Sequence, residues 1–179
     1  MDSRARLAAL AETFAGEDIA LLQLTREELL RLAESKPAYH FAGAPEGALP
    51  PPHVARRALD QLEAGVPAFW CVPFFIVVRP DGTVVGGCTF KGRPSNGDVE
   101  IAYGVARSMR GRGIAGAAVA QLLRLAATDG SVRQVVAEVL PSNVGSSKVV
   151  SRLGFTARGT FVDTDGEVVV RWIYSVQSK

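Results

Sequence analysis

An α/β fold of the α+β kind, in one domain over residues 1–179, is predicted by three features of the chain. Three strand-like runs follow one another between positions 69 and 106 with only turns between them, which calls for an antiparallel meander. The last of these runs leads through a glycine turn into an alanine- and leucine-rich helical stretch, residues 114–127. The chain then closes on a hairpin, residues 155–162 and 168–176, around Asp163-Thr-Asp-Gly166. With the remaining runs, these features give about seven strands and about four helices.

Composition bounds the function classes. A chain of 179 residues suits one domain and buries enough surface to need no disulfide staple. The net charge of +2 is too small to argue for nucleic acid or an anionic membrane surface. No run is long and apolar enough to span a bilayer. Arg4 and Arg6 before a Leu/Ala stretch faintly resemble a signal peptide, but Glu12, Glu17 and Asp18 interrupt it too early. Cys71 and Cys88 both sit in apolar strand-like runs, so buried free thiols are expected, and with them a cytoplasmic protein.

In chain order, Met1 to Gly16 is helical and amphipathic at best, and residues 1–18 read as a loosely held N-terminal segment. Residues 19–24 form a short strand. Thr25 then caps a helix, and Glu28 completes a capping box. Leu29, Leu30, Leu32 and Ala33 supply its buried face, and Pro37 stops it. Residues 36–52 are rich in Pro, Gly and Ala, a loop or cover that carries Tyr39, His40 and Phe41. A second helix spans 54–64. His40 and His53 lack Cys or carboxylate partners at ligand spacing, so no metal site is expected. Residues 69–79 are a continuous apolar run, which predicts a strand covered on both faces. Pro80-Asp-Gly-Thr83 turns the chain into a second strand, 83–90. In the third, 98–106, Val99, Ile101, Tyr103 and Val105 alternate with Glu100, Ala102 and Gly104. Glu100 therefore stands among small residues, with room beside it. After the helix at 114–127, residues 134–140 give a strand, and Pro141-Ser-Asn143 opens a last helix. On that helix Ser146, Val150 and Leu153 form one stripe, polar only at Ser146.

The turn between the third strand and its helix holds Gly111 and Gly113 beside Arg110 and Arg112. A strand, glycine turn and helix expose backbone N–H groups at a helix N-terminus, where the dipole favours an anion. Glycines let a ligand approach the backbone, and arginines fork onto phosphate oxygens. A pyrophosphate cradle follows. Gly111-x-Gly113-x-x-Gly116 also fits the dinucleotide fingerprint, with Glu138 near the expected distance. That reading is disfavoured, because antiparallel strands precede the turn and the chain is too short for a second βαβαβ half. No Gly-Lys-Ser/Thr follows, so a P-loop is excluded.

Arg110-Gly-Arg-Gly113-Ile-Ala115 matches the acetyl-CoA signature Gln/Arg-x-x-Gly-x-Gly/Ala of the Gcn5-related N-acetyltransferases, and the chain resembles that family. The run from Asn143 through Ser146 and Leu153-Gly154 to Phe155 resembles a second family block without a gap. Glu100-Ile-Ala-Tyr103 resembles a third. The likeness covers residues 75–174 and leans toward the branch that acetylates N-terminal amines of ribosomal proteins.

The resemblance implies a mixed central sheet of about seven strands flanked by about four helices, whose two central parallel strands splay apart, with acetyl-CoA as cosubstrate and no metal. It implies that Arg110, Gly111, Arg112, Gly113, Ile114, Ala115 and Gly116 hold the pyrophosphate. The strand end at Val105 would bond the pantetheine arm, and Asn143 would contact the cofactor. Acetyl would pass directly to a primary amine, of a protein N-terminus or of a small molecule. A lysine-like amine has a pKa near ~10.4 and an α-amine near ~8, so a base is needed. Glu100 is the first candidate and Glu138 and Asp163 are reserves. The plainer alternative is that Glu100 merely ends a strand at the solvent edge. Many family members place a tyrosine on the last helix as proton donor to the leaving thiolate. Here that position is Val150, and Ser146 is the substitute. Its plainer alternative is a helix-start serine satisfying an N–H. Tyr39, Phe41, Phe69 and Trp70 could line an apolar acceptor pocket. The absent tyrosine leaves open a non-catalytic acyl-CoA-binding module on the same fold. The family is often dimeric, but nothing in this sequence demands a homodimer.

Overall fold

The computed structural model describes residues 18–36, 41, 43–79 and 81–176. The N-terminal segment, Tyr39 and His40 lie outside them. The described chain forms one seven-stranded sheet in the order β1-β2-β3-β4-β5-β7-β6. Its strands are β1 (Ile19–Gln23), β2 (Phe74–Val78), β3 (Thr83–Phe90), β4 (Asp98–Val105), β5 (Gln134–Val139), β6 (Thr156–Val162) and β7 (Val168–Ser175). The helices are α1 (Arg26–Ala33), α2 (Pro52–Glu63), α3 (Ala68–Cys71), α4 (Ile114–Ala126) and α5 (Val144–Arg152).

The α+β class and the mixed sheet of seven strands are as the sequence predicts. Only β4 and β5 run parallel; every other neighbouring pair is antiparallel. A dinucleotide-binding turn opens consecutive parallel βαβ units, which this sheet does not contain.

The first predicted helix forms with its capping box intact. The Glu28 backbone N–H donates to Thr25 Oγ1 at 3.2 Å, and the Thr25 N–H donates to Glu28 Oε2 at 2.6 Å. The second starts at Pro52 rather than Val54, because proline suits the first helical position, where its missing N–H costs nothing.

The apolar run 69–79 is a correction. Only Phe74–Val78 is strand, and Ala68–Cys71 is a helical turn. Pro67 precedes that turn, and Pro73 forces Val72 into extended backbone, ending it. A short apolar run does not itself distinguish strand from helix. The strand that remains is covered on both faces, as predicted.

The two faces of the sheet carry two cores. On one, Phe74, Ile76, Cys88, Phe90, Val99 and Ile101 pack against Ala118, Val119 and Leu122 of α4 and Val150 of α5. On the other, Phe75, Val77 and Val84 pack under α1 and α2, against Leu29, Ala55, Ala58 and Leu59. Cys71 and Cys88 are buried free thiols, as expected.

Gly86 and Gly104 let β3 and β4 run close. A Cβ at Gly86 would lie 2.3 Å from the Gly104 carbonyl oxygen, whereas one at Gly104 would meet nothing within 4 Å. Gly86→Ala should therefore cost about 2 kcal/mol or more in urea unfolding, and Gly104→Ala less than about 1 kcal/mol.

Candidate functional site

The site begins where two parallel strands part. The β4–β5 register runs from Asp98↔Gln134 to Ile101↔Ala137 and stops there. β4 continues to Val105 held by β3, through Gly86↔Val105, and β5 continues to Val139 held by β7, through Val139↔Val170. Each strand is secured on its outer side and free on its inner side. The Lys91 N–H bonds the Glu100 carbonyl and the Ala106 N–H bonds the Val85 carbonyl, so the even residues of β4 address β3. The backbone groups of Tyr103 and Val105 therefore face the gap.

At the end of β4 a short 3-10 turn, Arg107–Met109, leads into the glycine turn. That turn accounts for the residues that separate strand from glycine. Gly111 and Gly113 adopt left-handed backbone, with φ of 77° and 78°. Gly113 is the N-cap of α4 and offers no side-chain oxygen to the helix. The first intrahelical bond runs from the Ala117 N–H to the Gly113 carbonyl, 3.0 Å. The N–H groups of Ile114, Ala115 and Gly116 thus have no acceptor within the helix. A Cβ at Gly111, Gly113 or Gly116 would meet nothing within 4 Å, so the space over this helix end is open. An open, uncapped helix N-terminus is a ready anion site.

The two arginines divide their work. Arg112 is exposed at the turn. Arg110 turns back, and its Nε donates to the Val105 carbonyl at 3.2 Å. That bond ties the turn to the strand end and occupies one of the backbone groups expected to meet a pantetheine arm.

Asn143 is the N-cap of α5, and its Oδ1 accepts the Ser146 N–H at 3.0 Å. Ser146 is half-buried in the first turn of α5, where Asn143 and not Ser146 is the cap. It meets a residue the sequence reading passed over. The Tyr103 hydroxyl crosses from β4 and donates to the Ser146 carbonyl at 3.2 Å. Burial pushes the Tyr103 pKa above the ordinary value, and a hydrogen bond with the Ser146 side chain opposes that rise. Alternation placed Tyr103 on the core face with Val99 and Ile101. Only a tyrosine hydroxyl's need for a partner hinted at more.

Glu100 faces the α2 side, half-buried, paired with the Lys91 ammonium. Arg57 of α2 lies near enough for the Glu100 charge to act on it. Burial lowers the Arg57 pKa and Glu100 partly restores it. The Arg57 Nε and Nη2 are shut from solvent and donate no hydrogen bond. The reserve carboxylates are otherwise engaged. Glu138 accepts from Arg171 Nη2 at 2.8 Å, and Asp163 Oδ1 accepts the N–H groups of Asp165 and Glu167, which holds the β6–β7 turn. His53 is exposed on α2. Among the described residues no group of three His, Cys, Asp or Glu side chains could hold a metal.

On the same face of the sheet as Glu100 lies a cleft of about 330 Å³. Its floor is Gly87, Ala102 and Gly104, and Leu49, Pro50 and Val54 form its wall. Of the aromatic residues expected to line such a pocket, Phe41, Phe69 and Trp70 belong to the core instead, and Tyr39 lies outside the described residues. Phe41 packs on Phe75 at 4.8 Å between ring centroids, and Trp70 on Phe90 at 4.9 Å, with Phe69 against both Trp70 and Phe90. The lining comes from the loop before α2, which sequence patterning alone does not place over the sheet. Burial raises the pKa of both Cys71 and Cys88, which suits neither to be a nucleophile.

Residues 19–156 match a family model described as an acetyltransferase (GNAT) domain. An uncharacterized N-acetyltransferase, p20 of Bacillus licheniformis, is 30% identical over 107 residues, 58% of this chain and 60% of that relative. The match therefore spans less than two thirds of that relative's length. Among solved structures, the ribosomal L7/L12 alpha-N-protein acetyltransferase RimL in complex with coenzyme A superposes with a TM-score of 0.65 at 15% identity, covering 91% of this chain and 97% of that one. The aminoglycoside acetyltransferase AAC(6')-Ib in complex with coenzyme A gives 0.62 at 20%, covering 88% and 94%.

The two glycines of the helix end should respond oppositely to alanine. Gly113→Ala, at positive φ, should cost about 1 kcal/mol in chemical denaturation, and Gly116→Ala, inside the helix, should gain roughly 0.5 kcal/mol.

Proposed function

Because the chain belongs to the GNAT acetyltransferase family, we propose that it is an acetyl-CoA-dependent N-acetyltransferase that passes acetyl directly to a primary amine. The observation that carries this reading is the parting of β4 and β5 after Ile101/Ala137 beside an uncapped helix end, with a cleft on the opposite face.

The free N–H groups of Ile114, Ala115 and Gly116 suit a pyrophosphate, and their open surroundings leave room for one. Gly111 and Gly113 shape the cradle and Arg112 adds charge. Arg110 fixes the turn against Val105. Tyr103 and Val105 offer backbone groups to an extended arm in the gap, and Asn143 keeps its amide nitrogen for the cofactor. When bound, acetyl-CoA supplies an activated thioester.

The amine enters from the α2 side, through the cleft. Glu100 takes its proton, directly or through a water. Ser146, at the polar end of the buried α5 stripe, donates a hydrogen bond on the thioester side. The buried, protonated thiols of Cys71 and Cys88 favour direct transfer over an acyl-enzyme route. The described cleft lining contains no carboxylate side chain, although Glu46 directly precedes its first residue, Gly47; Arg57, Lys91 and Glu100 lie on the same side of the sheet. This lining suits an amine on an uncharged stem better than a polycation, which needs several carboxylates around it.

Free-thiol release over a panel of N-terminal peptides, simple monoamines, polyamines and aminoglycosides tests the proposal. Turnover is expected with peptides or monoamines, at least about tenfold faster in kcat/KM than with the polycations. Glu100→Gln should lower kcat by about 10²-fold or more. Acetyl-CoA at a hundredfold over its Kd should raise Tm by about 5–10 °C, an effect reduced in Arg110→Glu. Binding of acetyl-CoA with no turnover anywhere in the panel would make the protein a non-catalytic acyl-CoA-binding module. Stabilisation by NADH and not by acetyl-CoA would sink the reading altogether.

A further inference from the structure

We propose that the Tyr103 hydroxyl delivers the proton to the departing thiolate, with Ser146 as its positioning partner. The inference rests on the acetyl-transfer reading above and names a group within that site.

The geometry begins with register. Ile101 is the last β4 residue paired with β5, and Tyr103 is the next residue on the same face. Its ring therefore leaves the sheet at the point where the gap opens. Its hydroxyl reaches the first turn of α5, the helix that follows β5, and donates to the Ser146 carbonyl. One side chain thus bridges the two walls of the opening. A thioester seated in the gap with its sulfur toward α5 would meet this hydroxyl.

The other groups near the opening are poorer donors. Ser146 carries an alkyl hydroxyl, a far weaker acid than a phenol. Val150, one turn further on α5, is fully buried and apolar. The Cys88 thiol, across the strand pair from Tyr103, is sealed in the core. Glu138 is held by Arg171. Glu100, with Lys91, lies on the opposite face of β4.

The step balances. The amine nitrogen bonds the acetyl carbon, the C–S bond breaks, and its electron pair stays on sulfur. The Tyr103 O–H proton passes to that sulfur to give the thiol. Solvent returns a proton to the tyrosinate, and the proton lost by the amine leaves through Glu100. The net change is amine plus thioester to amide plus thiol. Burial raises the tyrosine pKa and would raise that of a thiol beside it, which keeps the two matched.

Tyr103→Phe in the full chain removes one oxygen and little else. With acetyl-CoA, kcat should fall about 10²-fold or more, while KM for acetyl-CoA stays within about threefold. With S-acetyl-4-nitrothiophenol, whose thiolate needs no proton to leave, the loss in kcat/KM should shrink to a few-fold. An equal loss with both donors would make the role merely structural and overturn the proposal, as would no loss with either. Ser146→Ala should lose less than Tyr103→Phe; the reverse order would assign the donor role to Ser146.

A second readout needs no turnover. Alkylation of bound coenzyme A by iodoacetamide, followed against pH, reports the thiol's titration. In Tyr103→Phe the midpoint should lie about one pH unit higher than in the wild type, because a donor to the thiolate has gone. Identical profiles would overturn the contact. A shifted profile with no amine turned over would keep the Tyr103–sulfur contact and refute acetyl transfer instead.

Discussion

The separation of β4 from β5 after Ile101/Ala137 is the constraint on which the rest of the site depends. Two parallel strands that stop pairing in mid-sheet leave backbone donors and acceptors without partners, an arrangement that costs free energy unless something else satisfies them. Here each strand is pinned from outside. β3 follows β4 to Val105, and β7 follows β5 to Val139. The close approach of Gly86 to Gly104 keeps β4 on the β3 side, and the Arg110 bond to the Val105 carbonyl locks the strand end to the turn that begins α4. The gap, the uncapped helix and the crossing of Tyr103 to Ser146 are three consequences of one interrupted ladder.

The interruption also sorts the chemistry by face. The α4 and α5 side carries the glycine-capped helix end, Ser146 and Tyr103. The α2 side carries the small-residue cleft, Glu100, Lys91 and Arg57. Glycine and alanine at 87, 102 and 104 keep the sheet thin between them, so groups on one face work close to groups on the other.

Much of this was legible in the residues. The Thr25/Glu28 box, the left-handed glycines before α4 and the alternation of β4 are local, and local chemistry decides them. The parallel pair in the middle of an antiparallel sheet followed from the resemblance of two motifs rather than from periodicity. What stayed hidden is what depends on distance along the chain. The 48–50 loop meets Gly87 from some forty residues away, so the cleft lining was assigned to aromatics, of which Phe41, Phe69 and Trp70 pack in the core instead. Alternation marked Tyr103 as a core position and could not show that α5 would bring Ser146 to its hydroxyl. A sequence also does not reveal that a side chain turns back on its own strand, as the Arg110 Nε does to the Val105 carbonyl. The apolar run at 69–79 hid a helical turn that Pro67 and Pro73 bound.

The most direct measurement of the account follows the backbone amides by NMR as coenzyme A is added. The largest shifts are expected at Ile114, Ala115 and Gly116, with further shifts at Tyr103 and Ser146 and little change on the outer strands β1 and β6. Shifts centred elsewhere, or none at the α4 N-terminus at saturating coenzyme A, would contradict it.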